Sequence, residues 1–167
     1  MWRNAWLIPL LIVCSCKHEV KQREGLPPGV EEVLTNFTVI KTTSGVRSWT
    51  LHATRGVRVG DTFKVYGVKL QLYDEDGKFS ATMVADSAVF LELDSLLFAY
   101  GKIVLEAPAE TLRVETDHVK WEIPQNLIVA PGKVEIWKAH RYMEGEGLTT
   151  DIRFRDLRLR KVYGRMD

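Results

Sequence analysis

The residues with the most distinctive chemistry in this chain are two cysteines, Cys14 and Cys16, which lie close to the amino terminus. They are the only cysteines of the sequence, and they follow Arg3 and an apolar stretch over residues 5–13. A basic start followed by a short apolar run is the layout of a secretory signal peptide. The run is too short for a helix that spans a membrane.

The sequence around the second cysteine resembles the acylation site of bacterial lipoproteins. At such sites an aliphatic residue stands three positions before the cysteine, and a small residue stands directly before it. Cys16 meets both conditions, with Val13 and Ser15 in these places, whereas Cys14 has the bulky Val13 directly before it. We therefore expect residues 1–15 to be removed as a signal peptide and Cys16 to carry a lipid anchor. The alternative is an uncleaved apolar tail that buries both cysteines.

A chain that begins at Cys16 contains no further thiol, which excludes disulfides, thiolate metal sites and catalytic cysteines from its fold. Three aspartates, Asp86, Asp117 and Asp151, recur at similar places along the chain. They can be interpreted as catalytic carboxylates, but we favour hydrogen bonding at turns or strand ends. The sequence has no zinc-protease, redox, serine-hydrolase or phosphate-loop motif. We expect no enzymatic activity, no metal and no cofactor.

The charged residues are balanced in number, since Lys and Arg total 23 and Asp and Glu total 22. This balance argues against a general nucleic-acid binder, which needs a strongly basic surface. Basic residues do alternate near the carboxyl terminus: Arg153, Arg155, Arg158, Arg160 and Lys161. They can be interpreted as a site for phosphate groups. Because acidic residues lie among them, we favour a solvated surface.

The segments that must position these groups are β-strands. Apolar and polar residues alternate in many short stretches after position 36, as in Trp49, Leu51 and Ala53. Alternation with a period of two predicts strands that bury one face. Asp76 and Gly77 form a typical hairpin turn. The sequence therefore predicts an all-β domain over residues 33–167, preceded by a polar tether over residues 16–32.

The strands belong to a repeat. A small residue and an aspartate recur at intervals of about 32 residues, and a glycine follows each of them at a similar distance. Each copy contains two strands, so neighbouring copies can stack and share one apolar interior.

The repeat and four short motifs resemble the LptC family, the periplasmic component of the lipopolysaccharide export machinery, which is grouped with LptA as OstA-like. The resemblance covers about residues 33–164, and its motifs are Gly45-x-x-x-Trp49-x-Leu51-x-Ala53, Leu72-Tyr73-Asp74-x-Asp76-Gly77, Ala85-Asp86 and Gly145-x-Gly147-Leu148-x-Thr150-Asp151. Many LptC proteins are held by an amino-terminal transmembrane helix, and this sequence departs from that pattern with its lipoprotein signature.

The resemblance implies an open twisted β-sandwich, or β-jelly roll, built from repeated two-strand units. It implies a protein without enzymatic activity, anchored at the periplasmic face of the inner membrane of a Gram-negative bacterium. Its partners would be lipopolysaccharide, the periplasmic β domain of the inner-membrane ABC transporter, and an LptA-like bridge protein. The protein would accept lipopolysaccharide from the transporter and pass it to the bridge along an apolar groove.

Alternation and the resemblance together predict a set of inward-facing side chains, which we call the predicted groove residues. They are Leu51, Leu70, Leu72, Val89, Phe98, Ile103, Leu105, Val114, Trp121 and Ile136. In a tightly closed sandwich the same side chains are ordinary core. If the two layers splay, they line a slot for acyl chains. The sequence alone does not separate the two cases, and the resemblance favours the slot.

The two ends of the sheet are the expected docking edges. We expect residues 153–163 to form the last strand and to bind the bridge protein by strand addition. The first edge, near residues 36–42, would bind the transporter. The alternative function is that of an envelope lipoprotein whose closed β-sandwich binds another protein or a glycan.

Overall fold

The computed structural model describes residues 26–166, which form nine antiparallel β-strands and one short turn of 3-10 helix at Pro108–Glu110. The strands are β1 (Glu32–Thr43), β2 (Val46–Val59), β3 (Thr62–Tyr73), β4 (Phe79–Leu91), β5 (Leu96–Ala107), β6 (Leu112–Glu122), β7 (Leu127–Lys138), β8 (Arg141–Asp151) and β9 (Arg158–Met166). The predicted signal peptide, Cys16 and most of the tether lie outside the described residues. Within residues 26–166, no helix has the length and apolar character needed to cross a membrane.

All nine strands belong to a single sheet, in which each strand pairs with its neighbours in the sequence. Short turns join consecutive strands, so the sheet is a series of hairpins, as the two-strand repeat predicts. In the described part of the chain no pairing connects β1 with β9, so the sheet stays open and these two strands are its edges. The expected all-β, open architecture of a β-jelly roll is confirmed.

The repeated aspartate and glycine lie where the strands bend. The pairing register shifts between Val84 and Ser87 in β4, and again where β5 pairs with β6. At this point Asp86 Oδ2 accepts a hydrogen bond from the backbone N–H of Lys102 at 2.8 Å. Gly101 beside it has a φ of +90°, and a Cβ there would overlap the Asp86 carboxyl group. The repeat therefore encodes β-bulges, which bend the paired strands sharply.

In the other copies of the repeat, the equivalent residues also lie at a register shift or at a strand end. Asp117 faces Gly132 across β6 and β7, where the register shifts again. Asp151 Oδ1 accepts a hydrogen bond from the Arg153 N–H at 3.1 Å, at the end of β8. In the degenerate first copy Thr54 replaces the aspartate, and its hydroxyl donates to a backbone carbonyl of β3 at 3.0 Å. Hydrogen bonding at a bend or a strand end is thus confirmed for Asp86 and Asp151.

Because the strands bend near their middles, the sheet folds over itself and encloses one apolar core. The bulges also explain which residues enter it. In β4, Ala81, Met83 and Ala85 are buried before the bulge, and Ala88 is buried after it. The bulge in β4 therefore shifts the inward-facing set of that strand by one position, as expected when an extra residue interrupts the alternation.

The prediction of a last strand over residues 153–163 is wrong in its first part. Strand β9 begins at Arg158, and residues 152–157 form a loop, here called the β8–β9 loop. Within it Phe154 is fully buried at a φ of +56°, and its N–H donates to the Asp151 carbonyl at 3.1 Å. Arginine and apolar residues alternate here as they do in a strand. The chain nevertheless forms a loop, in which the Phe154 side chain packs into the core.

The β8–β9 loop connects distant parts of the sheet. Its Ile152 carbonyl accepts a hydrogen bond from Ser80 Oγ at 2.5 Å, and Arg153 forms an ion pair with Glu75. Ser80 is the second residue of β4, and Glu75 lies in the turn before that strand. The loop therefore ties the end of β8 to the β3–β4 hairpin and closes this side of the core.

Candidate functional site

An apolar cavity of about 100 Å³ opens from the core beside strands β1–β3. It is lined mainly by aromatic and aliphatic side chains, which include Val39, Trp49, Leu51, Phe63, Phe90 and Leu97. These residues come from both sides of the bends, so the cavity lies between the two folded-over parts of the sheet. We call it the apolar cavity.

A second cavity of about 480 Å³ adjoins the first. Its lining combines apolar side chains with polar ones, among them Lys41, Ser48, Tyr73, Glu75 and Asn126. Three residues, Trp49, Trp121 and Ile123, line both cavities. The two spaces are therefore adjacent, and one is lined mainly by apolar side chains while the other also has polar ones. We call the second one the polar-mouthed cavity.

A charged cluster borders the apolar cavity. Arg58 Nη1 contacts Glu92 Oε1 at 2.7 Å, and Arg58 Nε contacts Glu32 Oε2 at 3.4 Å. The guanidinium carbon also lies 5.3 Å from the centre of the Phe63 ring. The hydrogen bond to Glu92 is the main reason that the pKa of Arg58 is raised above its ordinary value. Arg58 and Glu92 line the apolar cavity together and give it a polar border.

Most of the predicted groove residues are buried in the core, and a few of them reach the cavities. Leu51, Leu70 and Trp121 are buried and line the apolar cavity. Leu72, Ile103, Leu105, Val114 and Ile136 are equally buried, but they are packed in the core away from both cavities. The structure therefore brings only the first three together at one open space.

Val89 and Phe98 do not point inward, and their expected orientation is wrong. They pair with each other across β4 and β5, and both are half-buried. Their neighbours Ala88 and Leu97 line the apolar cavity, so Val89 and Phe98 lie on the outer face. There the Phe98 ring lies 6.4 Å from the ring of His118. The bulge at Asp86 is the cause for Val89, because uninterrupted alternation from Ala85 would have placed Val89 inside.

The set of predicted groove residues omitted several side chains that line the apolar cavity: Trp49, Phe63, Phe90, Leu97 and Ile123. A signal for Phe90 was present in the sequence. In β4 the inward-facing positions are odd-numbered before Asp86 and even-numbered after it. With the alternation counted anew from this aspartate, Ala88 and Phe90 fall on the inner face. The aspartate therefore marks both the repeat and the place where the pattern changes phase.

The basic residues near the carboxyl terminus do not form a phosphate site. Each one has an acidic partner: Arg153 with Glu75, Arg155 with Asp151, Arg158 with Asp156, and Arg160 and Lys161 with Glu146. The pKa of Glu146 is lowered, chiefly by a hydrogen bond from the Tyr163 hydroxyl. This confirms a solvated, charge-balanced surface. Among residues 26–166, no cluster of three or more His, Cys, Asp or Glu residues is placed to hold a metal ion.

Comparison with known proteins identifies a family and also finds likenesses among solved structures. The family model described as lipopolysaccharide-assembly, LptC-related, matches residues 6–167. Among solved structures, the chain is similar to the crystal structure of LptH, the LptA homologous periplasmic component of the conserved lipopolysaccharide transport device from Pseudomonas aeruginosa. The identity is 9%, 77% of this chain and 80% of that chain are covered, and the TM-score is 0.30. None of the curated proteins matches the chain.

Proposed function

Because the chain belongs to the LptC-related family of lipopolysaccharide-assembly proteins, we propose that it accepts lipopolysaccharide from an inner-membrane ABC transporter and passes it to an LptA-like bridge protein. The observation that carries this proposal is the apolar cavity with the polar-mouthed cavity beside it. An acylated sugar is divided in the same way, into apolar acyl chains and a polar head group. Each methylene group kept from water is worth about 0.8 kcal/mol. An apolar path therefore lowers the cost of moving acyl chains through the periplasm.

The interior must open for this function. A cavity of about 100 Å³ is smaller than the roughly 300–1,000 Å³ of typical ligand sites. The β1 edge is where opening is easiest, since no strand of the described chain pairs with its free side. Its inner side chains Leu34, Phe37 and Val39 are only partly buried against the core. Moving this edge away from the opposite part of the sheet breaks side-chain contacts and leaves the sheet's backbone hydrogen bonds intact.

The competing function is that of a closed sandwich that binds a protein or a glycan on its surface. The dense packing of Ile103, Leu105, Ile136 and Phe154 is what such a module would show. A pair of neighbouring substitutions separates the two functions. Ala88→Leu puts three more carbon atoms toward the apolar cavity, and Val89→Leu adds one carbon atom on the outer face.

The test is the capture of lipopolysaccharide by residues 17–167, released from vesicles that contain the ATP-driven transporter. We expect capture by the unchanged protein and by Val89→Leu, and little capture by Ala88→Leu in a domain that stays folded by circular dichroism. Equal capture by both variants, or no capture by the unchanged protein, would favour the surface-binding module.

The lipid anchor is part of the proposal and concerns residues 1–16. With Cys16→Ala the acceptor thiol is lost, so the protein should remain uncleaved or be released without lipid mass. Mass spectrometry of the membrane and soluble fractions measures this directly. Cys14→Ala is the matched control and should be fully acylated. Acylation of the Cys16→Ala variant would contradict the assignment.

The docking edges complete the proposal. Strand β9 exposes Val162 and Tyr163, at 58% and 60%, beside a free edge, and β1 exposes Ile40 at the other end. A free edge with apolar residues is suited to strand addition by another sheet. We propose that β9 binds the LptA-like bridge and that residues 36–42 bind the transporter's periplasmic β domain. The interiors of the transporter domain, this protein and the bridge would then form one path.

Removal of residues 158–167 should abolish binding of the bridge and leave binding of the transporter intact. The deletion begins at Arg158 because the β8–β9 loop contributes Phe154 to the core. Pull-down with each purified partner measures the two interactions, and circular dichroism confirms the fold. A truncated, folded protein that still binds the bridge would show that β9 is not the docking edge.

A further inference from the structure

Trp121 holds an unusual position among the residues that line the interior. It lies on β6, it is 4% exposed, and it borders both the apolar cavity and the polar-mouthed cavity. Within residues 26–166, three buried side-chain polar atoms have no hydrogen-bond partner, namely Thr50 Oγ1, Trp121 Nε1 and Arg153 Nε. Of these three residues, Trp121 is the one that lines the two cavities.

An indole N–H can only donate a hydrogen bond, so its partner must be an acceptor. Buried donors in native proteins are nearly always paired, because an unpaired one has lost its water without compensation. Trp121 lines an apolar cavity and also an adjacent cavity whose lining includes polar side chains such as Lys41 and Asn126. An acceptor bound there would sit at the boundary between dry and polar surroundings.

One class of molecule has an acceptor at such a boundary. In an acylated sugar or glycerol, the ester or amide carbonyl joins the hydrocarbon chain to the polar head. If the chain occupies the apolar cavity and the head occupies the polar-mouthed cavity, this carbonyl falls between them, where Trp121 lies. A fatty acid would instead place a charged carboxylate at the junction, and an alkyl ether would place there only an ether oxygen, which is a weaker acceptor than a carbonyl.

We propose that the Trp121 indole N–H donates a hydrogen bond to the carbonyl that links an acyl chain to its head group. This inference rests on the proposed function and adds to it a fixed depth at which the lipid is held during transfer. It also assigns a ligand class, the acyl esters and amides. Apolar walls alone would bind any hydrocarbon chain, whereas a hydrogen-bond donor favours a chain that carries a carbonyl.

The experiment compares two probes of equal chain length, a 1-acyl glycerol phosphate and its 1-alkyl ether analogue, which lacks the carbonyl. We expect Trp121→Phe to weaken binding of the acyl probe to the full chain about three- to tenfold and to leave the ether probe unchanged. Trp49→Phe is the matched control, since Trp49 lines the same two cavities. Any effect of Trp49→Phe should be equal for both probes. Equal effects of Trp121→Phe on both probes, or no effect, would overturn the inference.

A measurement on the unchanged protein keeps the test decisive if Trp121→Phe fails to fold. The indole N–H resonance of Trp121 should shift downfield with the acyl probe and stay in place with the ether probe. An unshifted resonance in the acyl complex would overturn the inference.

Lipopolysaccharide serves as a third probe. Ester-dependent binding at Trp121 without lipopolysaccharide binding would contradict the proposed function alone, and lipopolysaccharide binding that Trp121→Phe leaves unchanged would contradict the inference alone.

Discussion

Leu105→Asp should unfold the domain, whereas Phe98→Asp should leave it folded. Leu105 is 1% exposed and pairs with Met83 and Val114 on the adjacent strands. The substitution removes a packed side chain, which costs about 2–5 kcal/mol, and puts a carboxyl group among apolar neighbours, which adds to that cost. The sum approaches the whole stability of an ordinary domain, about 5–15 kcal/mol.

Phe98 differs because its side chain lies on the outer face beside His118. A carboxylate there stays hydrated, so we expect a loss of about 1–2 kcal/mol. Urea unfolding followed by circular dichroism gives both free energies of unfolding. Losses of similar size would mean that Phe98 is a core residue, as the alternation first predicted. The Phe98→Asp variant should also retain lipopolysaccharide capture.

Phe154→Ala should lower the free energy of unfolding by about 3–5 kcal/mol, the usual cost of removing a buried phenylalanine side chain. Phe154 is fully buried, and its loop ties β8 to the β3–β4 hairpin through Ser80 and Glu75. Loss of its ring leaves a void that the tied loop cannot readily fill.

Phe79→Ala is the matched control for this substitution. Phe79 is 45% exposed, so its removal should cost about 1 kcal/mol. Hydrogen exchange gives a second reading, since protection of the β9 amide groups should fall in Phe154→Ala and not in Phe79→Ala. If the two variants are equally stable, the β8–β9 loop does not close the core.

The fold was predictable because its two signals are local. Alternation with a period of two marked the strands, and the recurring aspartate and glycine marked the hairpin repeat. What the alternation missed was its change of phase at the bulge in β4, between Ala85 and Ala88. A bulge depends on the backbone pairing of two strands, which is a non-local property. Val89 was therefore placed on the wrong face.

The sequence pattern predicts a strand at the β8–β9 loop for a related reason. Arg153, Phe154 and Arg155 alternate like a strand, but the energetics of this segment come from contacts with Ser80 and Glu75, far away in the sequence. The candidate site shows the same limit. Trp121 was found because it alternates inward, whereas its position at the junction of two cavities depends on how the bent sheet folds over.

The central claim is that lipopolysaccharide travels through the interior of the sheet. Phe90 and Phe98 allow a direct test, because both are half-buried phenylalanines that lie on adjacent strands and on opposite faces. A photo-crosslinking residue is placed at each position in turn, and vesicles with the transporter, ATP and lipopolysaccharide are illuminated. We expect a lipopolysaccharide adduct from position 90 that depends on ATP, and none from position 98. Equal adducts from the two positions, or an adduct from position 98 alone, would contradict an interior path.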